Sequence, residues 1–153
     1  MSMETKSMQE DAEESVNLSS GIAAFESKQF TRALQLLTPL AQSGDPDAQY
    51  RLAIMYQNGL GLVRNDPLAF RWMTAAAEQG HALAQHGLGF MYMEGECTER
   101  CGEKAVEWFQ RAAAQGLTGS RTTLAMMYEE GRGIDKDPDE ARKWYKLAGF
   151  PYK

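Results

Sequence analysis

Apolar residues return along this chain on two scales. On the short scale they fall three or four positions apart, the spacing that puts one buried stripe on a helix. Val16, Ser20 and Ala23 with Leu18, Ile22 and Phe25 surround a helix running from about Glu13 to Ser27. Phe30, Ala33, Leu34, Leu37 and Leu40 outline a second, ending near Ser43 with Gly44 as its stop. On the long scale the pattern repeats every 36 residues. Leu52, Leu88 and Leu124 fall in register, as do Tyr56, Tyr92 and Tyr128, and Gly59, Gly95 and Gly131. So do Ala69, Ala105 and Ala141, Trp72, Trp108 and Trp144, and Ala76, Ala112 and Ala148. A period of this length marks stacked supersecondary units, none of which can bury its apolar face alone.

Each copy predicts two helices, A and B. In the copy at 45–80, Asp45 can cap helix A and Pro46 can take its first position, where a missing N–H costs nothing. Leu52, Ala53 and Tyr56 mark its buried stripe, and Asn58-Gly59-Leu60-Gly61 ends it. Asp66-Pro67 reads as the same cap-and-proline start for helix B, whose inner stripe is Ala69, Trp72, Met73 and Ala76. The copies at 81–116 and 117–149 follow this plan. In the last, Asp137-Pro138-Asp139-Glu140 forms a capping box, and measuring from Gly133 to Asp137 predicts an A-to-B loop one residue shorter than from Gly61 to Asp66. The alanines let paired helices approach, and Tyr and Trp are expected to fill between units, so that Trp108→Ala would cost roughly 3–5 kcal/mol. Residues 1–12, polar and acidic, read as a flexible tail ahead of a single repeat domain at 13–153.

The strings DAQYRLAIMYQNGLGL with DPLAFRWMTAAAEQGHALAQ, and LAMMYEEGRGI with DPDEARKWYKLAG, resemble Sel-1-like repeats (SLR), a tetratricopeptide-related class of α/α solenoid. The likeness covers about residues 45–149; residues 13–44 look more like a plain tetratricopeptide pair, with Gly21, Phe30 and Ala33 at matching spacing. The resemblance implies an all-α, right-handed superhelix of about four helix-turn-helix repeats, and a non-enzymatic scaffold or adaptor. Its A helices would line a concave face that binds a partner peptide or protein. By resemblance the residues on that face are Leu18, Ile22 and Phe25; Tyr50, Ile54 and Gln57; His86, Phe90 and Met93; and Thr122, Met126 and Glu129. Most are apolar, and an apolar strip on a soluble protein usually marks a partner site.

The second copy breaks the pattern. Its loop reads Gly95-Glu96-Cys97-Thr98-Glu99-Arg100-Cys101-Gly102, with Cys97 where the others have Gly61 and Gly133, and without the Asp-Pro restart. Cys97 and Cys101 supply two soft ligands where structural zinc takes four, and His81 and His86 belong to the preceding helix region, so no metal or other cofactor is expected. A local disulfide would suit an oxidising compartment, which leaves a redox- or metal-responsive regulatory module as the alternative to a scaffold.

Other chemistry finds little support. GLGL and GRGI lack the following lysine and preceding strand of a phosphate cradle, and no nucleophile, base and orienter share a strand-turn-helix elbow. A net charge of −5 and pI near 5.1 argue against nucleic acid or an anionic membrane. With 43% hydrophobic and 24% charged residues, no apolar leader and no long apolar run, the expected setting is cytoplasmic, or periplasmic if the natural chain carries a leader. Glu129 and Glu130 with Glu94 and Glu96 read as solvated helix ends. No further helix covers the outer face of the last repeat, so either Phe150 and Tyr152 fold back over it or a second chain does, as a weak homodimer through that end.

Overall fold

Proline, glycine and side-chain caps set many of the helix boundaries in the computed structural model, which describes residues 3–151. The order is α1 (Met3–Glu26), α2 (Phe30–Gln42), α3 (Pro46–Asn58), α4 (Asp66–Glu78), α5 (Ala82–Glu94), α6 (Gly102–Ala114), α7 (Thr118–Glu130) and α8 (Pro138–Leu147). Among the described residues there is no strand, and no helix is long and apolar enough to cross a membrane. The chain divides into two compact units, Met1–Trp72 and Met73–Lys153, with the boundary inside α4.

In the first unit α2 packs on both α1 and α3, burying Ala24, Ala33, Leu37, Leu40, Ala48, Leu52 and Met55. In the second, α5 packs on α6 and α7 on α8, around Ala105, Phe109, Ala113, Leu124 and Met127. The recurring leucines and alanines are buried as their period requires, except Ala148 in the last copy, which is half-buried. The tryptophans are not: Trp72, Trp108 and Trp144 are half-buried, and the Trp108 ring lies under the Arg111 guanidinium at 4.5 Å. Phe109 is the aromatic that fills the second core, so truncating Trp108 removes far less buried area than its periodicity suggests.

Two boundaries and one loop length differ from the expectation. Helix α1 starts at Met3, within the stretch read as a tail, because Glu, Met, Gln, Lys and Ala are good helix formers; residues 1 and 2 lie outside the described residues. Asn65, not Asp66, caps α4, its side-chain oxygen accepting the Leu68 N–H at 3.0 Å. Asn65, Cys101 and Asp137 therefore hold equivalent places, and the three A-to-B loops have equal length. In each, the cap residue's N–H donates to the repeat tyrosine's carbonyl: Asn65 to Tyr56, Cys101 to Tyr92 and Asp137 to Tyr128, at 2.9, 2.8 and 2.9 Å.

The loop of the second copy also keeps its siblings' conformation. Cys97 adopts φ 65°, in the left-handed region where Gly61 and Gly133 both sit at 74°. A side chain there costs roughly 1–2 kcal/mol. Arg100 Nε reaches the Met93 carbonyl at 2.9 Å and ties the loop to the end of α5.

One polar device recurs in all three copies. Gln49 Nε2 donates to the Ala41 carbonyl at 3.1 Å, Gln85 Nε2 to Ala77 at 3.2 Å, and Arg121 Nε to Ala113 at 3.3 Å. Each side chain thus adds a second donor to a carbonyl in the last turn of the preceding B helix, beside the N–H of Gly44, Gly80 or Gly116 at 3.0, 3.0 and 2.9 Å. Both glutamines are buried.

Replacing Gln85 by Leu leaves the Ala77 carbonyl with only the Gly80 N–H, at 3.0 Å, and leaves Gln115 Nε2 with only the Gly80 carbonyl, at 2.8 Å. The expected loss is about 0.5–1.5 kcal/mol in urea unfolding; an unchanged midpoint would show that water replaces the bonds. Conversely, Cys101 makes no side-chain cap bond. Cys101→Asp should stabilise the chain by about 1 kcal/mol in the same assay, and no gain would mean the Asp137 geometry is not reproduced there.

Candidate functional site

The A-helix residues expected to meet a partner divide by unit. In the first, Leu18, Ile22 and Phe25 on α1 and Tyr50, Ile54 and Gln57 on α3 are all half-buried. Phe25 meets Phe30 edge-on at 5.9 Å, and the Arg51 guanidinium lies 6.0 Å from the Phe25 ring and 5.9 Å from the Tyr50 ring. Arg51 is held from below by Asp47, whose carbonyl accepts from Nη1 at 3.2 Å. Burial raises the Tyr50 hydroxyl pKa, and the Arg51 charge opposes the rise. These rings are occupied by one another and by a cation.

The second unit is more open. Phe90 on α5 is 39% exposed and Met126 on α7 is 41% exposed, with Thr122 half-buried and Glu129 exposed. Met93 is different: only 5% of it is exposed, and it belongs to the core with Ala105 and Phe109. Three residues beyond Phe90, a helix has turned a side chain about 60° to one side, here toward α6. Met93 is a core residue rather than a contact residue.

His86 joins the two A helices of this unit. Its Nδ1 lies 2.7 Å from Ser120 Oγ, and its ring meets Phe90 and Phe109 edge-on at 5.0 and 5.3 Å, with Phe90 and Phe109 themselves 5.5 Å apart. Burial lowers the imidazole pKa, favouring the neutral ring that can pair with a hydroxyl. Ser120 is fully buried, so the pair links α5 to α7 and does not present a nucleophile. The cluster depends on two glycines inside α5. A β-carbon at Gly89 would lie 2.8 Å from the Phe109 ring, and one at Gly87 would lie 2.9 Å from the Met73 sulfur. Glycines at these unlikely helical positions were the signal, unread in the sequence, that another side chain closes in on α5.

Elsewhere the candidate chemistry stays apart. No disulfide joins Cys97 and Cys101, and no group of three or more His, Cys, Asp or Glu suited to a metal occurs among the described residues. Glu94 is not merely solvated: Arg132 Nη2 meets its carboxylate at 2.5 Å, pinning the third A-to-B loop to the end of α5. At the C-terminal end Phe150 is half exposed and stacks edge-on against Tyr145 at 6.0 Å, while Trp144 Nε1 is buried without a hydrogen-bond partner. Tyr152 lies outside the described residues.

Comparison with known proteins gives this geometry its context. The Sel1 repeat profile matches residues 46–81, 82–117 and 124–149. The crystal structure of a Sel1 repeat protein from Oxalobacter formigenes is similar over 87% of this chain and 53% of its own, with 32% identity and a TM-score of 0.79. A protective antigen present in uropathogenic Escherichia coli strains, described as displaying an SLR fold, is similar over 76% of this chain and 25% of its own, with 37% identity and a TM-score of 0.72. The present chain thus spans about half the length of the first and a quarter of the second. A search of curated proteins finds no match. Sel1 repeat proteins are generally protein-interaction scaffolds, and their fold is typically non-enzymatic. With its three matched repeats and all-α SLR solenoid fold, the chain belongs to the Sel1 repeat family.

Proposed function

We propose that this chain is a non-enzymatic scaffold that binds a partner peptide or protein through its A-helix face, with Phe90 and Met126 as the open contact residues. The carrying observation is a register position that stays apolar in three copies, as Ile54, Phe90 and Met126, yet is exposed at Phe90 and Met126. Positions that the stack itself requires, such as Leu52, Leu88 and Leu124, are buried. Exposed large apolar groups at equivalent places on successive A helices are the anchors a partner's side chains would cover.

The two anchors act differently. Phe90 is oriented by His86 and Phe109, so it loses little freedom on binding, while Met126 is an unbranched, polarizable side chain that adapts to what it meets. Glu129 gives the face an acidic edge.

Affinity purification from the source cell, with the wild-type chain as bait, should retain a protein that a Phe90→Glu, Met126→Glu chain captures roughly tenfold less or worse. Both baits should share one far-ultraviolet circular dichroism spectrum and one melting midpoint, since neither residue is in the core. Equal capture by the charged variant would refute the assignment of this face.

A further inference from the structure

The negative charge of the chain is not spread over it. Residues 3–16 of α1 carry five carboxylates against the one ammonium of Lys6, so this half-helix holds a net −4 of the chain's −5. Every residue from Met3 to Val16 is exposed. Helix α2 is 13 residues long where α1 has 24, so α1 runs on past the end of α2. The result is a ledge: the overhang of α1 is its wall, and the last turn of α2 with the turn into α3 is its floor.

Two depressions of about 380 and 310 Å³ lie along this ledge. Both are lined by Glu14 and Leu40; Asp11 and Leu18 extend one, and Glu10 and Leu36 extend the other. Leu18 and Leu36 are the half-buried apolar groups of their lining, beside the buried Leu40 and the polar Ser43; their walls are carboxylates, and the C-terminal end of α2 adds the negative pole of its own dipole. The wall is also frustrated as it stands. Glu10 and Glu14 are like charges one helical turn apart on an exposed stretch of α1, a repulsion that Lys6, one turn before Glu10, offsets on one side only.

We propose that this ledge docks a basic amphipathic helix of a partner protein. The partner's apolar side chains enter over Leu18, Leu36 and Leu40, and its lysines or arginines neutralise Glu10, Asp11 and Glu14. Charge decides the occupant: a second copy of α1 would set a net −4 against a net −4, and nucleic acid carries the same sign. Docking would also support the overhang, replacing repulsion along one face of α1 with attraction across it.

The probe is a 14-residue amidated peptide repeating Leu-Lys-Lys-Leu-Leu-Lys-Lys, fluorescently labelled and titrated with the full chain at about 50 mM salt, where surface charges are weakly screened. Its anisotropy should rise saturably, and a peptide of the same composition scrambled to abolish the apolar stripe should bind about tenfold more weakly or worse. The chain with Glu10→Gln, Asp11→Asn, Glu13→Gln and Glu14→Gln should lose at least about tenfold in affinity. A chain carrying the same charge change elsewhere, at Glu78, Glu99, Glu103 and Asp135, should lose less than about twofold. All eight sites are exposed, so the fold tolerates both sets. None of the four substituted ledge carboxylates is among the residues expected on the A-helix face, and Phe90 and Met126 line neither depression, so the Phe90→Glu, Met126→Glu chain should bind the peptide as wild type does. Absence of binding, equal binding of the scrambled peptide, or equal losses in the two amide-substituted chains would each overturn the proposal.

Discussion

A β-carbon at Gly102 would lie 2.0 Å from the Gly133 carbonyl oxygen, and one at Gly61 would lie 2.7 Å from Phe30 Cβ. In each case the first residue of a B helix presses against the A-to-B loop of the repeat that follows. Where backbone meets backbone, no side chain can adjust the distance, so each contact fixes the spacing of the two repeats it joins within one compact unit. The other regularities depend on that spacing. The loop must keep its left-handed residue and its closing bond from cap N–H to tyrosine carbonyl, or the next B helix starts in the wrong place. Alanines at 69, 105 and 141 are fully buried because helices held this close leave no room for more.

Much of this was legible in the sequence because it is repeated. Leucine, alanine and glycine recurring at one interval report the same environment several times over, and the expected helix pairs and most of their ends follow. The start of α4 and the length of the third loop are misread where a local motif outranks the register, whereas the tryptophans follow the register and are still only half-buried. Asp66-Pro67 has the look of a cap and a first-turn proline, yet the 36-residue interval points to Asn65, which is what the Asp137 cap requires. Gln49, Gln85 and Arg121 were invisible for a different reason. A polar residue on an inward face looks like an interruption until the carbonyl that it satisfies is known, and that carbonyl belongs to another helix.

The candidate face was legible only in part. Periodicity identifies which side of a helix a residue occupies, but exposure depends on what packs beside it, and that is set by residues of other repeats. Met93 follows the same arithmetic as Phe90 and is nevertheless buried, because Ala105 and Phe109 of α6 receive it. The resemblance puts His86 on the expected face; only the structure shows it pairing with Ser120 and bracing Phe90. Gly87 and Gly89 carried that information, as helical glycines whose absent side chains make room for Met73 and Phe109.

Cys97 shows how a repeat architecture can carry a local penalty. Its strained φ is affordable because a repeat protein draws stability from many similar interfaces, and the same loop is anchored by Arg100, by the Cys101 N–H and by the end of α5. A single-core domain of this size would have fewer independent supports to spread that cost across. The same reasoning separates two ways in which this chain departs from its repeat. Departures inside the stack, such as Cys97 or the uncapped Leu117, must be compensated by neighbours and therefore remain small. Departures outside it, such as the acidic overhang of α1 and the exposed Phe90 and Met126, are under no such geometric limit. Because the stack constrains only what it buries, these outward residues can vary in size and charge without disturbing the spacing of the repeats, and it is there that partner chemistry has room to differ from one Sel1 chain to another.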